Sequence, residues 1–436
     1  MTDRTDIDEE ADGMTTDTSV TAATTAATGD EDDLERLVRN GLVETLFSPV
    51  VDLFTDEVAG FRVDHVNREV PFSGPEAVRG FRRALRASAT VGDLDASLRD
   101  LALRSAEALG LDEAKARLFL TTEPQSLVAL EDRTDEPDRS IILQLDPAAV
   151  AQAPATVLRT VRQARALGWG IGMKSIGKDV STTAFLPLIN PSVVALHSAV
   201  MDQHDPDTLA ELVRVLHAHV ERTGAVVLAE GVRDEDDLAR AQALGARLAT
   251  GPLFGYADPH PGAPELPRED VLVDHHTRNL AVQGTPYTIS KGLKRDPLVM
   301  DLDLMRASLR DLLARAEDTG ESIITIGVFG EEETLPPGIV DRFRRLRDRI
   351  GFTAVFSGAW ESSPVEGVRS GALDASDPLR EEYGVIVVGP DWSGMVSAAR
   401  RVDLGPDGRT EYDVYVTTER YTVVDAARAV LTRISN

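Results

Sequence analysis

The sequence predicts an α/β protein in which a closed β/α barrel is followed by a smaller C-terminal α/β domain. Three observations carry that reading. The chain has 436 residues, material for two domains at the usual ~100–200 residues each. From about Asp33 to Asp258, short apolar runs alternate with amphipathic helical stretches, the pattern of a parallel sheet covered by helices. That span, roughly 225 residues, suits a closed barrel better than a small open sheet. After the proline-bearing stretch Asp258–Pro286 the alternation restarts.

Residues 1–33 are Thr, Ala and acidic residues with almost no large apolar side chains. Such a segment buries too little surface to offset its ordering entropy and is expected to be a disordered, solvating tail. In the span 34–258 the strand candidates are Ala116–Leu120, Ile141–Leu145, Trp169–Met173, Val193–Leu196 and Val226–Ala229. Helices are expected at Ala153–Leu167, Asp207–Thr223 and Asp234–Leu244; in the second, Leu209, Leu212, Val213, Leu216 and Val220 form one apolar stripe. Pro259, Pro261, Pro264 and Pro267 mark 259–285 as a linker. In 286–436, helices are expected at Asp301–Asp318, Ile339–Ile350 and Val423–Ile434. Strands are expected at Ile323–Phe329, Thr353–Phe356, Val385–Val388, Ala398–Val402 and Glu411–Val416. The two halves show no internal repeat.

Composition narrows the function classes. There are 73 Asp plus Glu against 46 Lys plus Arg, a formal charge of −27. The only lysines are Lys115, Lys174, Lys178, Lys291 and Lys294. Surface carboxylates in such excess repel one another in dilute buffer and are screened where the Debye length shrinks to ~3 Å, at 1 M salt. The acid-rich, Lys-poor balance is therefore read as that of a halophilic protein. It also opposes nucleic acid binding through a broad basic face. Cysteine is absent, which removes disulfides, thiolate ligands and cysteine nucleophiles. No run approaches the ~18 apolar residues of a membrane span, and the N-terminus lacks a basic-plus-apolar export signal. A cytoplasmic protein is expected.

The region Leu46–Gly255 closely resembles the EAL family, hydrolases of cyclic di-GMP built on a modified (β/α)8 barrel. Phe47-Ser48-Pro49-Val50-Val51-Asp52 resembles its opening strand, and Gly60-Phe61-Arg62-Val63-Asp64 stands where its Glu-Ala-Leu signature belongs. Leu167-Gly168, followed through Lys174-Ser175-Ile176-Gly177 to Phe185-Leu186, is similar to the segment around Asp-Asp-Phe-Gly-Thr-Gly. Ala229-Glu230-Gly231-Val232 matches the Ala-Glu-Gly-Val run outright. Ala243-Leu244-Gly245 and Gly251-Pro252-Leu253-Phe254-Gly255 resemble the closing elements.

The resemblance implies two divalent metals held by hard oxygen ligands, which generate a hydroxide nucleophile. This chain departs from that set. The signature Glu position is Arg62, and the Asn ligand position falls on Gln144. The tandem aspartates become Lys174 and Ser175, the Lys-x-Asp element becomes Ala195 and His197, and the closing Gln is Thr250. The segment between Gln144 and Leu167-Gly168, usually bearing another Glu, looks shortened. Glu230 survives. Asp64, Asp146, Asp179 and His197 are the remaining potential ligands. Arg62 and Lys174 place fixed positive charges where cations should sit, and like charges at about 4 Å repel by ~4 kcal/mol even at an effective dielectric near 20. Catalysis is expected to be lost, leaving Glu230 vestigial, with no metal and no cofactor. Two readings of Arg62, Gln144, Lys174 and Glu230 stay open: a charge cluster in which Arg62 and Lys174 neutralise Glu230, or a pocket for a small anionic ligand.

Other residues take plainer readings. His217 and His219, two apart on a helix, face away from each other and are no metal pair. His275-His276 reads as loop polarity. Gly168-Trp169-Gly170-Ile171-Gly172 falls within a strand rather than a phosphate-binding loop, with Trp169 as barrel packing. Residues Thr285–Asn436 resemble the DICT sensory domain, through Ser290-Lys291-Gly292-Leu293, the run Ile323–Phe356 and Tyr383-Gly384-Val385-Ile386-Val387-Val388. Arg342, Arg344, Arg345, Arg347 and Arg349 make a basic helix, either solvated among carboxylates or a face for an acidic partner. Trp360 and Trp392 either pack in the core or line a pocket.

The expected function is therefore a non-catalytic cytoplasmic regulator that senses a ligand or a signalling protein through an inactive barrel and a DICT-like domain. A metal-dependent phosphodiesterase with rearranged ligands and a protein-binding scaffold are the alternatives. The resemblance makes a homodimer a fair expectation.

Overall fold

Eight strands close into a barrel in the computed structural model, which describes residues 31–434 apart from 72, 112–115, 124, 127–139, 263–282 and 406–407. The tail 1–33 up to residue 30, most of the linker 259–285 and His275-His276 lie outside the described residues. The strands are β1 (Val43–Asp52), β2 (Glu57–Asn67), β3 (Arg117–Thr121), β4 (Ile141–Leu145), β5 (Gly170–Ile176), β6 (Val193–Leu196), β7 (Val226–Glu230) and β8 (Leu248–Thr250). From β2 to β8 each strand pairs in parallel with the next. β1 closes the barrel antiparallel to β8, with Val51 opposite Ala249. That reversed first strand is the modification of the (β/α)8 plan.

The crossovers obey ordinary helix chemistry. Pro147–Gln152 and Pro154–Ala166 link β4 to β5, Pro206–Thr223 links β6 to β7, and Glu235–Ala243 links β7 to β8. Proline opens the first three, its missing N–H costing nothing there. Asp146, Asp205 and Asp234 cap the first, third and fourth by accepting from the amides of Ala148, Thr208 and Asp237. The buried stripe of Pro206–Thr223 is Leu212, Val215, Leu216 and His219. Burial pushes the His219 imidazole down to about 4, so it packs as a neutral ring beside the carbonyl of Pro191.

Val50, Ala59, Phe119, Ile142, Val193, Ala195, Leu228 and Leu248 fill the barrel interior. β5 contributes glycines instead. A Cβ at Gly170 would overlap Cδ1 of Ile142, and one at Gly172 would stand 3.3 Å from Cγ of Gln144. The alternating glycines thus make room for the side chains of β4. Gly168, at φ 78°, turns the chain into β5.

The described residues of 31–44 and 65–89 form a compact unit of their own. Within it the helices Glu31–Arg39 and Pro75–Ala87 pack together, and Phe81 stacks on His65 at 6.4 Å.

A second sheet of seven strands belongs to the same compact unit as the barrel. Its strands are β9 (Leu298–Asp301), β10 (Ile324–Phe329), β11 (Phe352–Phe356), β12 (Arg369–Ser370), β13 (Glu382–Val388), β14 (Ser393–Arg400) and β15 (Glu411–Thr417), in the order β12-β11-β10-β13-β14-β15-β9. One face packs on the helices Leu302–Thr319 and Pro337–Arg347. The other, with Ile324, Phe352, Ile386 and the helix Arg420–Leu431, shares one apolar cluster with Val157, Leu186 and Leu188 of the barrel's outer layer. Phe185 and Phe352 meet edge to face at 6.0 Å.

Glu382 anchors the entry to this sheet. Its buried carboxylate accepts from the Thr285 hydroxyl and, at 3.0 Å, from the Tyr287 amide, both at the start of the short helix Pro286–Ser290. Burial pushes the Glu382 carboxyl up to about 7, although Arg433, paired with Asp377 at 2.7 Å, pulls against this through its positive charge. The folded state therefore holds this proton more tightly than the unfolded chain, and stability falls as pH rises from about 4.5 to 7. Glu382→Gln, an isostere of the protonated form, will raise the thermal midpoint at pH 8 and leave it nearly unchanged at pH 5. Equal shifts at the two pH values would refute this.

Candidate functional site at the barrel mouth

Strand alternation carries the interior series to the C-terminal rim. Phe119 leads to Thr121 on β3, Ile142 to Gln144 on β4, Gly172 to Lys174 on β5, Ala195 to His197 after β6, Leu228 to Glu230 on β7 and Leu248 to Thr250 on β8. The parallel register sets Thr121 opposite Gln144, Gln144 opposite Gly172 and Glu230 opposite Thr250. The residues singled out from the sequence therefore share one end of one barrel.

Arg62 and Asp64 lie two apart on β2 and so face the same side. Arg62 Nε donates to Asp64 Oδ2 at 2.9 Å, with the arginine side chain 27% exposed and the carboxylate 8%. Asp64 raises the Arg62 guanidinium above its ordinary value; burial opposes this, and Glu230 adds a weaker upward pull. The hydrogen-bonded partner of Arg62 is thus Asp64, while Glu230 acts on it through its charge.

β5 carries a bulge. Its pairing with β6 shifts between Met173 and Ile176, and Ser175 takes φ 61°, the left-handed region that side chains seldom adopt. Ser175 Oγ donates to Asp146 Oδ2 at 3.1 Å, while Asp146 Oδ1 accepts from the Ala148 amide at 3.0 Å. Both oxygens of Asp146 are thus engaged in holding the bulge and the helix Pro147–Gln152. The bulge re-aims the strand just where Lys174 stands.

His197 Nδ1 accepts from the Ala199 amide at 3.1 Å. Its pKa lies below the usual histidine value, chiefly through burial and with help from Lys178 and Lys174, against the opposing pull of Glu230 and Asp146. It is a neutral ring with its proton on Nε2. Asp179 stands in the loop after β5, its carbonyl accepting from Thr182 Oγ1 at 2.6 Å. Gln144 is fully buried, and neither its Nε2 nor its Oε1 has a hydrogen-bond partner among the described residues.

Among the described residues no three His, Asp or Glu side chains converge to hold a metal ion. Two carboxylates at the rim are already engaged, Asp64 by Arg62 and Asp146 by Ser175 and a helix cap. The mouth combines the cations Arg62, Lys174 and Lys178, the anions Asp64, Asp146 and Glu230, and an unsatisfied amide on β4. Such a set can hold a polar ligand by hydrogen bonds and charge.

Sequence reasoning missed the Arg62–Asp64 pair, although the i, i+2 spacing on a strand signals a shared face. The segment 145–167 holds the two helices Pro147–Gln152 and Pro154–Ala166.

In the second sheet, Trp360 donates to the Glu333 carbonyl at 3.0 Å and leans on Phe329, while Arg315 lies 4.3 Å over the ring of Trp392. Arg342 and Arg345 pair with Glu317, Arg344 with Asp341 and Arg347 with Asp348.

The EAL domain family model matches residues 31–257. No curated protein matches the chain significantly. Among solved structures, the EAL enzyme Bd1971 with cAMP and cyclic di-GMP bound is 16% identical with a TM-score of 0.45, covering 55% of this chain and 68% of its own. The PaMucR phosphodiesterase in complex with cyclic di-GMP is 19% identical with a TM-score of 0.44, covering 52% and 96%. The FimX EAL domain is 16% identical with a TM-score of 0.45, covering 53% and 97%.

Proposed function

The chain belongs to the EAL domain family, and we propose that its barrel is a non-catalytic ligand-binding module of a regulatory protein. The observation that carries this reading is the ion pair of Arg62 with Asp64 at the rim. A guanidinium closed on the neighbouring carboxylate occupies the place where the family resemblance requires a metal-binding glutamate. Lys174 extends the same substitution of charge to β5. The ligand is a small polar molecule held by the rim charges and Gln144. The C-terminal sheet is read as the sensory partner, from its resemblance to DICT domains, and ligand occupancy biases the arrangement of the whole. The acid-rich composition is read as an adaptation to a salt-loaded cytoplasm.

Incubation with cyclic di-GMP in multimolar KCl, with Mg²⁺ or Mn²⁺, is the direct test. The expected result is no turnover with either ion. Metal-dependent hydrolysis that disappears in Glu230→Gln would overturn the proposal. Equilibrium binding of the same nucleotide without metal is expected to be absent, because the rim offers as many fixed anions as cations.

A further inference from the structure

Two arginines from different layers converge on one turn of chain. The short helix Leu186–Ile189 ends at Asn190, whose φ of 51° stops it and leaves its last carbonyls unpaired within the helix. Arg165, from the barrel helix Pro154–Ala166, donates through Nη2 to the carbonyls of Ile189 at 3.0 Å and Asn190 at 2.6 Å. Arg428, from the helix Arg420–Leu431 on the second sheet, donates through Nε to Leu188 at 2.9 Å and through Nη2 to Pro187 at 3.3 Å. The carbonyl end of a helix suits cations, so the turn works as a clamp between barrel and sheet.

The charges of this clamp do not balance. Arg428 is 7% exposed and pairs with Asp425 at 3.1 Å. Arg165 has no carboxylate partner among the described residues, and its Nη1 is buried without any hydrogen-bond partner. Burial and the neighbouring charge of Arg428 lower the Arg165 guanidinium to about 10, yet both groups remain charged at neutral pH. A buried cation with an idle donor is costly unless an anion reaches it.

We propose that Arg165 Nη1, beside Arg428, binds a monovalent anion, chloride in the cell, that completes the clamp between barrel and second sheet. A single excess positive charge calls for a monovalent ion. A phosphate or sulfate would reverse the imbalance and would need more donors than one guanidinium edge offers.

The test uses the full chain. Crystals grown in bromide are expected to show anomalous density against Arg165 Nη1; a water molecule alone at that place would overturn the proposal. In solution, the thermal midpoint of the wild type is expected to be higher by roughly 2–4 °C in sodium chloride than in sodium gluconate of equal ionic strength. In Arg165→Met that difference is expected to vanish. A difference that persists in the variant, or is absent from the wild type, refutes the site. Should Arg165→Met fail to fold, the bromide experiment on the wild type decides.

Discussion

Gly251→Ala will destabilise the protein by roughly 3–5 kcal/mol, the sum of an overpacking cost and a backbone conformation nearly restricted to glycine. Gly251 follows β8 at φ 155°, and a Cβ there would overlap the amide nitrogen and the carbonyl oxygen of Val232. Backbone atoms cannot swing aside as a flexible side chain can. The contact also lies within a small web of hydrogen bonds: Gly231 and Val232 donate to the Thr250 carbonyl at 2.8 and 3.2 Å, and Leu253 donates to the Val232 carbonyl at 3.1 Å. Pushing Val232 away displaces the residues that follow Glu230, so the damage reaches the barrel mouth. Gly168→Ala is the control. Gly168 also has a positive φ, 78°, but its Cβ would meet nothing within 4 Å, and the cost should be near 1 kcal/mol. Urea unfolding of the two variants compares them directly, and equal costs would show that the Val232 contact is not the cause.

Arg62→Met will cost roughly 2–4 kcal/mol, because it leaves the Asp64 carboxylate, 8% exposed, without its guanidinium. The double variant Arg62→Met, Asp64→Leu should recover most of that loss, since removing both charges together strands neither. Urea unfolding of the full double-mutant cycle measures the coupling. Additive effects would mean that the pair does not hold the rim together, and would weaken the case that a structural ion pair has replaced a metal ligand.

The sequence was most legible where one physical demand dominates. β4 and β6 start and stop where the apolar runs Ile141–Leu145 and Val193–Leu196 do, because every residue of both strands is buried. β9 escaped notice because three of its four residues are exposed at the sheet's edge, so burial leaves little trace in it. β14 runs Ser393–Arg400 rather than Ala398–Val402: its antiparallel register with β13 sets its extent, while its small residues carry little hydrophobic signal. The helix Val91–Ala108 has an apolar face at Leu94, Leu98 and Ala102 that was there to be read. At the site, the resemblance located the positions, but only side-chain geometry could say that Arg62 turns to Asp64 and that Ser175 bulges β5.

The shared apolar cluster of barrel and second sheet has a consequence for how this molecule comes apart. On paper, Asp258–Pro286 looks like the place to cut. A cut there would strip Val157, Leu186 and Leu188 from Ile324, Phe352 and Ile386, baring two greasy faces. The chain should therefore melt in one cooperative step across both sheets, and either half expressed alone should aggregate.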